Sequence, residues 1–136
     1  MANTSEADGE RVLLVEDDQG IRELMEVVLT GMGLSVDAAP NGARALELAK
    51  KHRPALVVLD LGLPGMYGKT VAAHLRRQYS NLPVMVVSAL SSSAVAEDAW
   101  EMGAFTYITK PFELDTFTSA VERGLKLAPR HKARLN

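Results

Sequence analysis

The chain has 136 residues, of which 47% are apolar and 24% are charged, and this size and composition suit one globular domain. Fifteen Lys and Arg against seventeen Asp and Glu give a net charge of −2, so a bulk electrostatic attraction to nucleic acid is not expected. The absence of Cys excludes a disulfide scaffold, a thiolate metal site and a cysteine nucleophile. No apolar run reaches the roughly 18 residues that a membrane span requires, and we expect a cytoplasmic protein without a membrane partner.

The two ends differ in composition from the rest of the chain. Residues 1–10 carry three acids and no large apolar residue after Met1, which predicts a flexible acidic tail rather than a signal peptide. Residues 128–136 contain three basic residues and no acid, and Pro129 ends the helical pattern that precedes it. The expected domain therefore covers residues 11–127, followed by a basic tail or the start of a linker.

Five short apolar runs alternate with segments of helical periodicity between these tails. The runs, which we expect to form strands, are 12–15, 35–39, 55–59, 83–87 and 105–109. At least three of them are apolar at successive positions, a pattern that is typical of strands covered on both faces. Five strands alternating with five helices predict an α/β fold with a parallel sheet wrapped on both sides.

The helical segments carry apolar stripes that predict which side of each helix faces the sheet. The first stripe comprises Ile21, Leu24, Met25, Val28 and Leu29, and the fifth comprises Leu114, Phe117, Ala120, Val121 and Leu125. Asn41 is expected to cap the second helix, and Gly33 stands where a left-handed helix end is useful.

Polar residues stand at the carboxyl ends of the predicted strands. In chain order they are Glu16, Asp17 and Asp18 after the first strand, Asp60 after the third, Ser88 at the end of the fourth, and Lys110 after the fifth. In a parallel sheet these ends share one edge, where ligands of this fold class bind. Carboxylates gathered there repel one another unless a cation lies among them, and oxygen ligands without His or Cys suit Mg²⁺. With an ammonium and a hydroxyl added, the set can stabilise a phosphoryl group on a carboxylate nucleophile.

Each of these residues also has an ordinary explanation when it is taken alone. An acid after a strand often caps the next helix, and this is the expected role of Asp18. Ser88 alone would be a loop hydroxyl, and Lys110 alone would be a solvated surface lysine. Because all of them fall on the same predicted edge, their joint arrangement favours a functional site.

The motifs resemble the receiver domain of two-component response regulators over about Arg11 to Leu127. They are Val-Leu-Leu-Val-Glu-Asp-Asp at 12–18, Val-Val-Leu-Asp-Leu-Gly-Leu-Pro-Gly-Met at 57–66, Val-Val-Ser-Ala at 86–89 and Gly-Ala-Phe-Thr-Tyr-Ile-Thr-Lys-Pro-Phe at 103–112. Four motifs in order at matching spacing are a specific signal. The resemblance implies the flavodoxin-like (βα)₅ doubly wound parallel sheet, with strand order 2-1-3-4-5.

The resemblance also implies the roles of the acidic residues. Asp60 would be the phospho-acceptor. Asp17 would ligate Mg²⁺ directly, Glu16 would act through water, and Asp60 and the backbone carbonyl of Gly62 would complete the protein ligands.

Four further residues take their expected roles from the same resemblance. Ser88 would turn toward the phosphoryl group, Lys110 would pair with it, and the bond from Lys110 to the next residue is usually cis in this family. Tyr107 matches the aromatic residue whose ring moves inward when Ser88 is recruited. Trp100 falls on a flanking side of the fourth helix, beside Tyr107, where it either anchors an interface or tucks into a groove of its own domain.

The expected function is therefore phosphorylation-controlled signalling, with a histidine kinase or phosphotransfer protein as the donor and no enzymatic activity beyond self-catalysed phosphorylation and dephosphorylation. The output goes either to a downstream protein target, or to a missing output domain if the chain is a receiver fragment of a longer transcriptional regulator. A homodimer through the fourth helix, fifth strand and fifth helix is a further possibility, and direct contact with nucleic acid is not expected.

Two other classes of protein share parts of the pattern. Aspartate-nucleophile Mg²⁺ phosphatases usually carry a second Asp two residues after the first, and here that position is Gly62. A flavodoxin-like cofactor binder needs a phosphate loop rich in hydroxyls and glycine after its first strand, whereas this strand leads into acids that would repel a flavin phosphate.

Overall fold

The structure is a computed structural model that describes residues 10–63, 65–89 and 93–127, with only the backbone for residues 93 and 94. The strands are β1 (Arg11–Val15), β2 (Ser35–Ala39), β3 (Leu56–Leu59), β4 (Val84–Ser88) and β5 (Ala104–Thr109). The helices are α1 (Gln19–Gly31), α2 (Gly42–Lys51), α3 (Gly68–Gln78), α4 (Ser93–Glu101) and α5 (Leu114–Lys126). The two predicted tails lie outside the described residues, except for Glu10.

All five strands are parallel and stand in the order β2-β1-β3-β4-β5, as predicted. The chain passes from β1 to β2 on one side and then crosses to β3 on the other, so the strand order reverses beside β1. The carboxyl ends of β1 and β3 therefore border the crevice in which doubly wound folds bind their ligands.

Two apolar layers hold the helices against the sheet. Since side chains alternate between the faces of a strand, Leu13 and Val15 enter the layer under α2, α3 and α4. Val12 and Leu14 enter the layer under α1 and α5, with Phe117 at its centre. Both faces of β1 and β3 are thus covered, which explains why these strands are apolar without alternation.

The predicted helix ends are confirmed where they depend on local chemistry. The carboxylate of Asp18 accepts a hydrogen bond from the backbone N–H of Ile21 at 2.9 Å and caps α1. The side chain of Asn41 accepts from the backbone N–H of Arg44 at 2.9 Å and caps α2. Gly33, two residues after α1, has a φ of +86°, the left-handed conformation that favours glycine.

Two residues of the predicted apolar stripes are exposed instead of buried. Leu24 and Leu114 each keep 48% of their surface exposed. Leu24 lies about 100° around the helix from the buried Met25, at the edge of the arc that α1 turns toward the sheet. Leu114 is the first residue of α5, nearly one turn before its first fully buried residue, Phe117.

None of the helices in the described ranges has the length and hydropathy to cross a membrane.

Gly68 begins α3 in close contact with the loop that follows β3. A Cβ atom at this position would lie 2.6 Å from the carbonyl oxygen of Asp60 and 2.8 Å from the Cα of Leu61. Since backbone atoms cannot rotate away, we expect Gly68→Ala to lower the free energy of unfolding by about 1–3 kcal/mol in urea titrations. Gly31, the last residue of α1, is the control, because a Cβ there meets nothing within 4 Å. Equal losses in Gly31→Ala and Gly68→Ala would contradict the steric explanation.

Candidate functional site

Three carboxylates meet where β1 and β3 end. One oxygen from each of Glu16, Asp17 and Asp60 lies within 4.8 Å of the other two. Glu16 and Asp60 are buried, with 1% and 7% of their surface exposed, whereas Asp17 is open to solvent. The donors are all hard oxygens on an edge that water can reach, so the group fits a hydrated divalent cation such as Mg²⁺.

The ammonium of Lys110 supplies a compensating charge to these carboxylates. Its Nζ lies 2.7 Å from Oε1 of Glu16 and 3.0 Å from Oδ2 of Asp60. Lys110 follows β5, at the far end of the sheet order from β2, and its backbone N–H donates to the carbonyl of Ser88 at 2.9 Å. The ends of β1, β3, β4 and β5 are therefore linked through one side chain and its own backbone.

Burial and pairing shift the titration of both partners. Burial raises the pKa of Glu16 above its ordinary value, although the hydrogen bonds from Lys110 and from the backbone N–H of Asp18 act in the opposite direction. Burial alone would lower the pKa of Lys110, but its hydrogen bonds to Glu16 and Asp60, together with their charges, raise it. Lys110 therefore stays a cation at neutral pH.

The carboxylate of Asp60 is held at both oxygens. Oδ1 accepts a hydrogen bond from the backbone N–H of Gly62 at 2.9 Å, and Oδ2 accepts from Lys110. The backbone N–H of Asp60 also donates to the carbonyl of Val15 at 3.1 Å, which joins the end of β3 to the end of β1. The structure thus places the amide of Gly62 against Asp60, and the metal-binding role of the Gly62 carbonyl stays a prediction.

Ser88 and Tyr107 lie on β4 and β5, the strands that follow β3 in the sheet. Ser88 is fully buried at the end of β4. Tyr107 is half-buried on β5, its ring packs against the layer under α2, α3 and α4, and its hydroxyl is buried without a hydrogen-bond partner among the described residues. The structure records this one position of the ring, so its predicted movement stays a prediction. The Lys110–Pro111 bond is cis, as expected.

Trp100 projects away from the domain. Its side chain is 79% exposed, while Ala99 is buried and Met102 packs partly against the layer under α4. The exposure of Trp100 shows that the alternative, in which it tucks into a groove of its own domain, is wrong, and its role as an interface anchor stays a prediction.

One more residue of the site was not predicted. Arg22 donates from Nη1 to the carbonyl oxygen of Glu16 at 2.9 Å, and it does so through a backbone contact that leaves no residue pattern in the sequence.

Comparison with known proteins agrees with this arrangement. The sequence model of the response regulator receiver domain family matches residues 12–122 of the chain. Sporulation initiation phosphotransferase F of Bacillus subtilis (strain 168) is 35% identical over 118 residues, which cover 87% of this chain and 95% of the relative. The DNA-binding transcriptional regulator NtrC of Escherichia coli (strain K12) is 35% identical over 114 residues, which cover 84% of this chain but only 24% of that regulator.

A solved structure with the same fold contains Mg²⁺. Response regulator TrrA of Thermotoga maritima, in complex with Mg²⁺-BeF, superimposes with a TM-score of 0.76 at 31% identity, covering 85% of this chain and 99% of that one. The acidic cluster of the present chain is typical of the receiver Mg²⁺ site. The chain is thus a member of the response regulator receiver domain family, signalling proteins that accept a phosphoryl group on an aspartate from a histidine kinase or phosphotransfer protein.

Proposed function

We propose that Asp60 is the phospho-acceptor of this receiver. The observation that carries the proposal is the position of its carboxylate, which is buried beside Glu16 and Asp17 with the ammonium of Lys110 on one oxygen. In the transfer, an oxygen of Asp60 bonds to phosphorus while the bond from phosphorus to the donor's histidine nitrogen breaks and its electron pair returns to the imidazole. The donor protein is thereby a phosphorylated histidine kinase or phosphotransfer protein.

The acidic cluster is proposed to hold Mg²⁺ during this step. Asp17 is the direct ligand and Glu16 acts through water, while Asp60 and the carbonyl of Gly62 complete the protein contribution. Bound Mg²⁺ neutralises oxygen charge on the transferring group. The clustering of the three carboxylate oxygens within 4.8 Å supports the carboxylate part of this set.

Lys110 and Ser88 are proposed to read the phosphorylated state. A phosphoryl group on Asp60 is a dianion beside Nζ of Lys110, and it competes with Glu16 for that ammonium. The hydroxyl of Ser88 turns to the same group. Tyr107 then repacks, because its hydroxyl has no partner among the described residues in the present arrangement.

The output surface is proposed to be the face formed by α4, β5 and α5. Trp100 is the large exposed aromatic on α4, and aromatic side chains of this kind anchor interfaces. The occupant is a downstream protein, a second copy of the chain or an output domain of a longer regulator.

The location is proposed to be cytoplasmic. A phosphatase is not favoured, because Gly62 stands where such enzymes place a second Asp.

Phosphorylation of Asp60 can be tested by mass spectrometry. We expect incubation with acetyl phosphate and Mg²⁺ to increase the intact mass by one phosphoryl group in the wild type, and not in Asp60→Asn. Asp18→Asn is the matched control, because it removes a neighbouring carboxylate while keeping a side chain that can cap α1. Equal labelling of the wild type and Asp60→Asn would refute the assignment.

The metal ligand can be tested without phosphorylation. Mg²⁺ that binds only the folded state raises the melting temperature, and the stabilisation grows with the logarithm of one plus the ratio of the Mg²⁺ concentration to Kd. A fit of the titration to this relation gives the Kd, which is the Mg²⁺ concentration at the midpoint of binding. We expect Asp17→Asn to raise this midpoint at least roughly 10-fold, because a neutral amide replaces the exposed carboxylate. Asp18→Asn, which changes the same charge, is expected to leave the midpoint near that of the wild type. Equal midpoints for all three proteins would contradict the role of Asp17.

The ammonium of Lys110 is expected to stabilise the fold through the buried Glu16. Lys110→Met removes the charge beside Glu16 and Asp60, and we expect the free energy of unfolding at pH 7 to fall by about 3 kcal/mol. Without the ammonium the pKa of Glu16 rises further. A carboxyl whose pKa is raised by folding contributes most below its unfolded pKa and loses that contribution as pH rises through its folded pKa.

The free energy of unfolding that Lys110→Met loses relative to the wild type is therefore expected to grow between about pH 4.5 and pH 7 in urea unfolding experiments. Lys69→Met is the control, since Lys69 forms an exposed pair with Asp98 at 3.4 Å, and its loss is expected to cost less than about 1 kcal/mol. A deficit that is constant over this pH range would argue against the buried pair as its cause.

A further inference from the structure

Arg22 reaches back from the first turns of α1 to the loop that carries the acidic pair. Its Nη1 donates to the carbonyl oxygen of Glu16 at 2.9 Å and lies 3.4 Å from the carbonyl oxygen of Asp17. The residue is partly buried. Within the part of the chain that the structure describes, its guanidinium forms no ion pair with a carboxylate. It therefore acts on the backbone of the acidic loop rather than on its side chains.

These contacts fix both peptide planes on either side of Asp17. The peptide plane between Glu16 and Asp17 contains the carbonyl oxygen of Glu16, which accepts the hydrogen bond from Arg22. The plane between Asp17 and Asp18 has its carbonyl oxygen toward Arg22, and its N–H donates to Oε2 of Glu16 at 3.1 Å. The two planes that flank a Cα atom determine φ and ψ, and with them the direction of the Cα–Cβ bond.

The side chain of Asp17 has no other support. It is exposed, and its carboxylate makes no hydrogen bond or ion pair with the residues that the structure describes. The direction in which it leaves the backbone is therefore set by the loop, and the loop is held by Arg22. Because the backbone on both sides of Asp17 is held, only its side-chain rotamers remain to be ordered when a cation binds.

We propose that Arg22 is a positioning residue for the metal site, which aims the carboxylate of Asp17 through the backbone without touching the ion. The inference depends on the proposed role of Asp17 as a Mg²⁺ ligand. It adds a residue from α1 to a site otherwise built from the ends of β1, β3 and β5. Outer groups that orient metal ligands commonly change metal affinity by roughly 10-fold to 100-fold.

A role of Arg22 through its charge and a role in positioning Asp17 predict opposite changes in Mg²⁺ binding when Arg22 is removed. A cation near the site repels Mg²⁺, so if Arg22 acted only through its charge, removing it would strengthen Mg²⁺ binding. If it aims Asp17, removing it weakens Mg²⁺ binding. A residue that merely holds the fold together lowers the melting temperature without moving the Mg²⁺ midpoint at all.

The test is a Mg²⁺ titration of the melting temperature in the wild type, Arg22→Met, Arg22→Lys and Arg44→Met. We expect Arg22→Met to raise the midpoint roughly 10-fold, and Arg22→Lys, which keeps the charge but loses the guanidinium, to raise it by less. Arg44→Met removes an exposed arginine that pairs with Glu47 on α2, and we expect no change in its midpoint. An unchanged or lowered midpoint in Arg22→Met would overturn the inference.

Three further results separate the possible failures. If Arg22→Met does not fold, Arg22→Lys decides, because it keeps the aliphatic stem and the charge, and an unchanged midpoint in that variant overturns the proposal. If the wild type shows no response to Mg²⁺, the proposed metal site fails, and not Arg22 alone. Labelling by acetyl phosphate is expected to reach the wild-type extent in Arg22→Met at saturating Mg²⁺, since the defect lies in metal affinity, and a defect that persists at saturation contradicts positioning.

Discussion

The arrangement of the site depends on one buried ammonium shared between two buried carboxylates. Glu16 is 1% exposed and Asp60 is 7% exposed, and charges removed from water to this extent are tolerated only with a partner. Lys110 provides that partner from the end of β5, while the carboxylates come from the ends of β1 and β3. A sheet in which any of these strands ran in the opposite direction would carry its residue to the far edge. The parallel topology is therefore an electrostatic requirement as much as a consequence of packing.

The helices α4 and α5 differ in how many of their described side chains are buried. In α5, Phe117, Ala120, Val121 and Gly124 are all buried, whereas in the described part of α4 only Ala99 is. At its C-terminal end α4 is held by Arg76 of α3, whose Nη1 donates to the carbonyl of Gly103 at 3.1 Å. Displacing a helix with few buried side chains costs less free energy than displacing one with many. Of the described helices, α4 is therefore the one that events at the ends of β4 and β5 displace most readily.

Much of the fold could be predicted from sequence because it depends on composition at successive positions. Strands covered on both faces appear as unbroken apolar runs, and the polar residues that end them mark one edge. The exposure of Leu24 and Leu114 could not be predicted in this way, since it depends on the width of the arc that each helix buries. Two sets of contacts could not be predicted from the sequence for another reason, namely the one between Lys110 and Glu16 and those made by Arg22. They join residues that are distant in sequence or use backbone carbonyls, which every residue has.

The exposed indole of Trp100 has a practical consequence. It is the only tryptophan among the 136 residues, and it stands on α4, which has the fewest buried side chains of the helices in the described ranges. Its fluorescence therefore reports the surroundings of α4 against a background of three tyrosines. An exposed indole emits at long wavelength, and its emission moves to shorter wavelength when a protein surface covers it. The molecule thus carries an intrinsic optical label on this face, which needs no dye and no substitution.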